Sequence, residues 1–311
     1  NYFQLSNLQI MNQVLITGAS GLIGSRLTDM LEKRGAQVAH LGRSKRAGSV
    51  PSFVWDVAQG RMDVVSLRNT GAIIHLAGAG VADKRWTPAR KEEILESRLQ
   101  STRLLYETLR DNPHQVRVVV AASAIGYYGF GMSDHLLSES DLPGKDFLAD
   151  VTRKWEAAVD EIEKLGIRVV KIRIGIVLSN HGGALVEMAR PVKLMVGAPL
   201  GTGRQHVSWI HIDDLCEMFL KATADDQMRG AYNGVAPNPV NNRALTDAIA
   251  HELRKPLWLP SVPPFVLKGL VGEMADMVIN GSKVSAAKIM STGFEFKFPT
   301  IEVALHDLLR N

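Results

Sequence analysis

The stretch VLITGASGLIGSRLTDML, residues 14–31, restricts the fold more than any other part of this chain. Val14, Leu15 and Ile16 form a short apolar run that opens onto Gly18, Gly21 and Gly24. Leu22, Ile23, Leu27, Met30 and Leu31 then recur at helical spacing. Strand, glycine turn and helix follow one another without a break. Glycines at this spacing let the turn close tightly, let a helix approach its strand, and leave backbone N–H groups free to face a pyrophosphate. The segment therefore predicts a dinucleotide-binding strand-turn-helix unit.

The pattern continues along the chain. Residues 36–42 and 72–78 read as buried strands, residues 116–123 as another, and IRVVKIRIGIVL as one more. A long polar helix over 89–110 and an amphipathic one around 155–165 stand between them. Strands apolar enough to be covered on both faces, alternating with helices, predict an α/β fold with a doubly wound, Rossmann-like parallel sheet. Beyond Ser179 the texture turns to glycine, proline and loops. This predicts a nucleotide domain over 11–178 that regains 206–235, and a smaller substrate lobe made of 179–205 and 236–311. Residues 1–10 read as a protease-site remnant of an expression tag, with Met11 as the native start.

The end of the second strand bears on cofactor choice. An enzyme that prefers NAD presents an acid to the ribose hydroxyls about 20 residues after the glycines. Here the sequence is HLGRSKR, with no acid. Arg43 can lay its planar fork on a ribose 2′-phosphate and Ser44 can donate to it, so NADP(H) is expected.

Taken together, TGASGLIG, HLAGAG, AASAIGYYG, RIGIVLS and SWIHIDDL resemble the extended short-chain dehydrogenase/reductase superfamily in order and spacing. DKRWTPARKEEILESRL, VTRKWEAA, GAPLGTGRQHVSWIHIDD, YNGVAPNPV and the TGFEFKFPTIEVAL tail narrow the resemblance to its epimerase-like subgroup, which carries the name nucleoside-diphosphate-sugar epimerase. The resemblance implies cofactor contacts at Gly18, Ser20, Gly21, Leu22, Ile23, Gly24, Arg43, Ser44, Leu76, Ala77, Gly78, Arg98 and Val177. It also implies a small-molecule substrate such as a sugar or nucleotide sugar. Lys193, Arg204 and Gln205 lie in the lobe that would meet that substrate.

One departure stands out. The superfamily pairs a serine with a Tyr-x-x-x-Lys, in which the lysine lowers the tyrosine pKa for proton transfer. Ser123 matches the serine, but four residues after Tyr106, Tyr127, Tyr128 and Tyr232 stand Arg110, Gly131, Met132 and Ala236. Where the pair should open a helix, the chain offers Phe147 or Leu148 and Val151 or Thr152. Tyr127 and Tyr128 are then the nearest candidate acids and Arg98 the substitute cation, with Glu93 on the same helix.

Other function classes gain little. The net charge is +4 over 311 residues with no long basic run, which gives no support to nucleic-acid or membrane-surface binding. The single Cys216 excludes an internal disulfide and fits a reducing cytoplasm. No metal site is expected: His211, Asp213 and Asp214 read as a helix cap. Two functions follow: an NADP-dependent oxidoreductase or epimerase lacking the usual tyrosine-lysine pair, or a catalytically silent NADPH sensor or partner-binding protein. The oligomeric state is not readable from the sequence.

Overall fold

The computed structural model describes residues 13–131 and 134–310, so the tag reading of residues 1–10 and the start at Met11 lie outside the described residues. Eight strands form the main sheet: β1 (Val14–Thr17), β2 (Val38–Gly42), β3 (Ser52–Asp56), β4 (Arg61–Met62), β5 (Ala72–His75), β6 (Val118–Ala124), β7 (Arg168–Ile174) and β8 (Gly230–Gly234). Their order is β8-β7-β6-β5-β1-β2-β3-β4, parallel throughout except at the β3-β4 edge. The direction of winding reverses between β1 and β5. In such sheets the crevice beyond the strand C-termini at that reversal is where ligands bind.

Five helices matter for the site: α1 (Leu22–Lys33), α2 (Pro88–Asp111), α3 (Phe147–Asp160), α4 (Ala184–Lys193) and α5 (Ile212–Ala224). β1, β5 and the first residues of β6 are almost wholly buried, as expected of a sheet covered on both faces. Thr87 caps α2 by accepting from the Arg90 N–H, with Pro88 at the first helical position. Asp146 caps α3 with one carboxylate oxygen while the other accepts from the Phe130 N–H, tying the turn after β6 to the start of α3.

The middle of the chain returns to the sheet later than the sequence suggests. Within 206–235 only β8 joins the main sheet. His206–Val207 pairs antiparallel with Val240–Asn241, and Trp209–His211 pairs parallel with Ile176–Leu178. A second apolar cluster, including Leu185, Val192, Trp209, Leu245, Ile249, Phe298 and Leu305, holds these pieces together. Among the described residues no helix is long and apolar enough to cross a membrane.

Candidate active site

The glycine turn is built as its spacing requires. Gly18 has φ +69°, a conformation that disfavours a side chain, and a Cβ there would meet the Leu76 carbonyl at 3.0 Å. A Cβ on Gly24 would come within 2.6 Å of the Ala19 Cα and the Gly18 oxygen, so the absence of a side chain is what lets α1 lie against the turn. Gly21 ends the turn without side-chain capping of α1, leaving the helix N-terminus to an external anion. Across the crevice, Thr17 Oγ1 accepts from the Leu76 and Ala77 N–H groups and lies 2.9 Å from His75 Nδ1. This ties the ends of β1 and β5 together.

Two hollows flank α1. One of about 560 Å³ lies between Ser20, Gly21, Leu22 and the 179–183 loop; one of about 200 Å³ lies between Ala19, Thr28, His40 and Arg46. Arg43 and Ser44 are exposed at the end of β2.

A third cavity, about 270 Å³, sits beyond the ends of β6 and β7. Ala124, Ile125, Gly126, Leu148, Val151, Thr152, Trp155, Ile174 and Ile176 line it from the sheet side, and Met277 and Asn280 close it from the later part of the chain. Leu148 and Thr152, one helical turn apart, both pack on Gly126. Phe147 instead stacks edge-on to Trp86, 5.2 Å between ring centres. Of the open alternatives, Leu148 and Thr152 are therefore an i, i+4 pair on the cavity wall.

Arg98 also lines this cavity. Its Nη1 donates to the Ala79 and Ile94 carbonyls at 3.0 and 2.8 Å, its guanidinium lies 5.0 Å from the Trp155 ring centre, and its side chain abuts Gly78. Burial, and secondarily Arg90, lower its pKa to about 10, so it stays a cation at neutral pH. Glu93 does not neutralise it: that carboxylate pairs with Arg90 at 2.6 Å.

The serine and tyrosines singled out in the sequence lie elsewhere. Ser123 is 3% exposed and donates to Glu156 Oε1 at 2.6 Å; strand alternation gives the cavity side to Ala124 instead. Glu156 is held by both prongs of Arg173, at 2.8 and 2.9 Å. Arg173 also donates to the Tyr128 hydroxyl, which donates to Asn233 Oδ1 at 2.7 Å. Burial pushes Tyr128 up to about 12, outweighing the lowering by Arg173. The Arg173 guanidinium lies 3.5 Å from the Tyr127 ring centre. Neither tyrosine lines the cavity. Tyr128 thus belongs to a buried polar network with Arg173, Glu156, Ser123 and Asn233, and Tyr127, partly exposed, lies against the Arg173 guanidinium.

The lobe candidates also separate. Lys193 and Arg204 are exposed and do not line the cavity. Gln205 is 2% exposed; its Nε2 donates to the Leu200 and Val278 carbonyls and ties the two loops together. Val177 lies between the cavity residue Ile176 and the buried Leu178. Lys154 pairs with Asp150 on the surface of α3. The cap of α5 is His211 itself, whose Nδ1 accepts from the Asp213 N–H, while Asp213 holds Arg26 with both oxygens. Cys216 is fully buried and burial pushes its thiol upward. His206 and Asn280, which sequence reasoning missed, line the cavity from chain segments far from the glycine turn.

Comparison with known proteins gives a consistent picture. The family model described as NAD dependent epimerase/dehydratase family matches residues 14–233, and one described as a domain of unknown function, DUF1731, matches residues 262–308. An Arabidopsis thaliana protein, the chloroplastic homolog of epimerase family protein SDR39U1, is 37% identical over 306 residues, covering 96% of this chain and 86% of that one. The crystal structure of human epimerase family protein SDR39U1 (isoform 2) with NADPH superposes with a TM-score of 0.86 at 30% identity, over 96% of this chain and 99% of that one. The nucleoside-diphosphate sugar epimerase of Corynebacterium glutamicum gives 0.79 at 30% identity, over 98% of this chain and 61% of that one.

Proposed function

Because the chain belongs to the NAD dependent epimerase/dehydratase family, we propose that it is an NADP(H)-dependent oxidoreductase whose cavity works through a cation, Arg98, in place of a tyrosine-lysine pair. The observation that carries this reading is the position of Arg98: it packs on Gly78 at the edge of the glycine-turn crevice and lines the cavity.

The residues present fit the cofactor. Gly18 and Gly24 have no room for a Cβ, the N-terminus of α1 is uncapped by a side chain, and Arg43 stands exposed where an acid would select NAD. Gly18, Ser20, Gly21, Leu22, Ile23 and Gly24 would hold the diphosphate side, Arg43 and Ser44 the 2′-phosphate, and Leu76, Ala77, Gly78 and Val177 the rest. The human relative crystallised with NADPH supports the same choice. When bound, the cofactor supplies or accepts a hydride. Arg98 then anchors a negatively charged group of the substrate beside the cofactor, as a fixed cation at a site can. His206, whose ring nitrogen Nε2 lies 3.1 Å from the Asp134 carboxylate, is the other titratable residue among the described lining residues, and it hands over or removes the proton. Residues 179–205 and 236–311 form the substrate lobe, through Met277 and Asn280. The protein works in a reducing cytoplasm, a reading supported by its single buried cysteine.

NADPH is expected to bind more tightly than NADH, and Arg43→Ala to remove most of the difference. Loss of a charge-assisted phosphate contact costs about 1.5–3 kcal/mol, roughly tenfold or more in affinity. Fluorescence titration of both cofactors checks it; equal affinities in the unmodified protein refute the NADP(H) assignment. A second expectation concerns the tyrosines. NADPH consumption with a panel of small ketones, enals and quinones should survive Tyr127→Phe and Tyr128→Phe and fall at least tenfold in His206→Gln, as removing a general acid does. Loss in either tyrosine variant with folding intact would restore the tyrosine mechanism. Tight NADPH binding without consumption of any panel member favours the silent sensor, a reading supported by the lack of a carboxylate or phenol among the cavity's lining residues.

A further inference from the structure

We propose that the cavity beside Arg98 takes a small organic carboxylate, a compact apolar body with one charged end, rather than a nucleotide sugar. This rests on the reading above in one respect, that the cavity is the substrate site.

A cation held on an apolar wall is costly unless an opposite charge meets it. Arg98 lacks that partner among the described residues. Among the described residues no carboxylate lies in ion-pair reach of its guanidinium. The carboxylate on the same helix face, Glu93, is taken by Arg90, and Arg90 is itself a cation acting on Arg98. The two backbone carbonyls occupy Nη1 alone, leaving Nε and Nη2 without a partner among the described residues. Two N–H groups of a planar fork match the two oxygens of a carboxylate.

The rest of the cavity sets the body of the ligand. Ile125, Leu148, Val151, Ile174, Ile176 and Met277 give the wall broad apolar faces, which suit a hydrocarbon chain or ring. About 270 Å³ lies at or below the small end of the roughly 300–1,000 Å³ that hold drug-sized ligands. A nucleotide sugar would bring a base, two sugars and a diphosphate, and it would need further cations. Besides Arg98 the described wall offers only His206. Lys193 and Arg204, the other basic side chains the sequence suggests for a diphosphate, are exposed away from the cavity.

The test is calorimetric titration with hexanoate, its uncharged isostere hexanamide, and UDP-glucose, each against the full chain with and without saturating NADPH. Hexanoate should bind about tenfold or more tightly than hexanamide, the discrimination a charge-assisted hydrogen bond provides. Arg98→Met should abolish that preference, Arg98→Lys should keep part of it, and Lys193→Met or Arg204→Ala should leave it unchanged. Equal binding of hexanoate and hexanamide to the unmodified protein, or tighter binding of UDP-glucose, overturns the proposal without needing any variant to fold. So does a carboxylate preference that persists in folded Arg98→Met. If Arg98→Met loses NADPH affinity and the unmodified protein shows no carboxylate preference, Arg98 serves the cofactor and the proposal fails. Failure of NADPH to bind the unmodified protein refutes the proposed oxidoreductase, while the hexanoate comparison without cofactor still reads the cavity.

Discussion

Glu156→Ala is expected to destabilise the protein by about 3–5 kcal/mol, because it strands a buried cation. The Glu156 and Arg173 side chains are 7% and 4% exposed, and each guanidinium prong ends on a Glu156 oxygen. Without the carboxylate, Arg173 keeps, among the described residues, the Tyr128 hydroxyl and the faces of Tyr127 and Tyr128, none of which carries a negative charge. Ser123 loses its acceptor in the same step. Replacing both ends with apolar residues, as in Glu156→Leu with Arg173→Met, should recover much of the loss, since burying the pair already cost both ions their water. Urea unfolding at pH 7 provides the measurement. A cost below about 1 kcal/mol for Glu156→Ala would mean that water reaches Arg173 and that the network is not closed.

The second large effect follows from pH. His75 is fully buried, its ring nitrogens lie 2.9 and 3.2 Å from the Thr17 and Thr102 hydroxyls, and burial lowers its pKa from 6.5 to about 4. The folded pKa lies below the unfolded one, so the unfolded chain takes up the proton first. The stabilisation is therefore full above about pH 6.5 and is lost as pH falls toward 4, by about 3 kcal/mol in all. His211 is displaced in the same direction, also to about 4, chiefly by burial, and adds to the loss in that window. Unfolding free energy should thus fall steeply between pH 6.5 and 4, and His75→Gln should flatten that fall. An unchanged slope in the variant would show that His75 is not held neutral. Because the Thr17 and His75 pair also fixes the Leu76 and Ala77 amides, cofactor affinity of the folded protein should hold down to about pH 5 and weaken only as pH approaches about 4, where folded His75 itself takes up a proton.

The contrast between what the sequence reveals and what it hides has a physical cause. The glycine turn and the order of strands are local patterns: each glycine answers a backbone constraint within a few residues, and each buried strand announces itself as an apolar run. The basic end of β2 is likewise contiguous. The fate of Ser123 and Tyr128 depends instead on Glu156, Arg173 and Asn233, which arrive from α3, β7 and β8 and meet only in the folded sheet. A family serine position therefore looks preserved while its hydroxyl serves the core. One signal was available: in an alternating strand, Ser123 and Ala124 must face opposite sides, so only one of them can reach a cavity beyond the sheet. Gln205 shows the same dependence on distant partners: its amide bridges the Leu200 and Val278 carbonyls, the latter 73 residues away in the chain. Met277, His206 and Asn280 carry no local signal at all, since their place on the cavity is set by how the last third of the chain packs back.

The central claim is that an NADP(H) cradle opens onto a cavity worked by Arg98 and not by a tyrosine. A crystal structure of the NADPH complex tests it most directly. The account predicts the 2′-phosphate on Arg43 and Ser44, the diphosphate over the N-terminus of α1, and the nicotinamide facing the cavity bounded by Arg98, Ala124 and Thr152. Tyr128 should still be bonded to Arg173 and Asn233. A nicotinamide lying away from that cavity, or a Tyr127 or Tyr128 hydroxyl turned onto it with Arg98 withdrawn, would contradict the account.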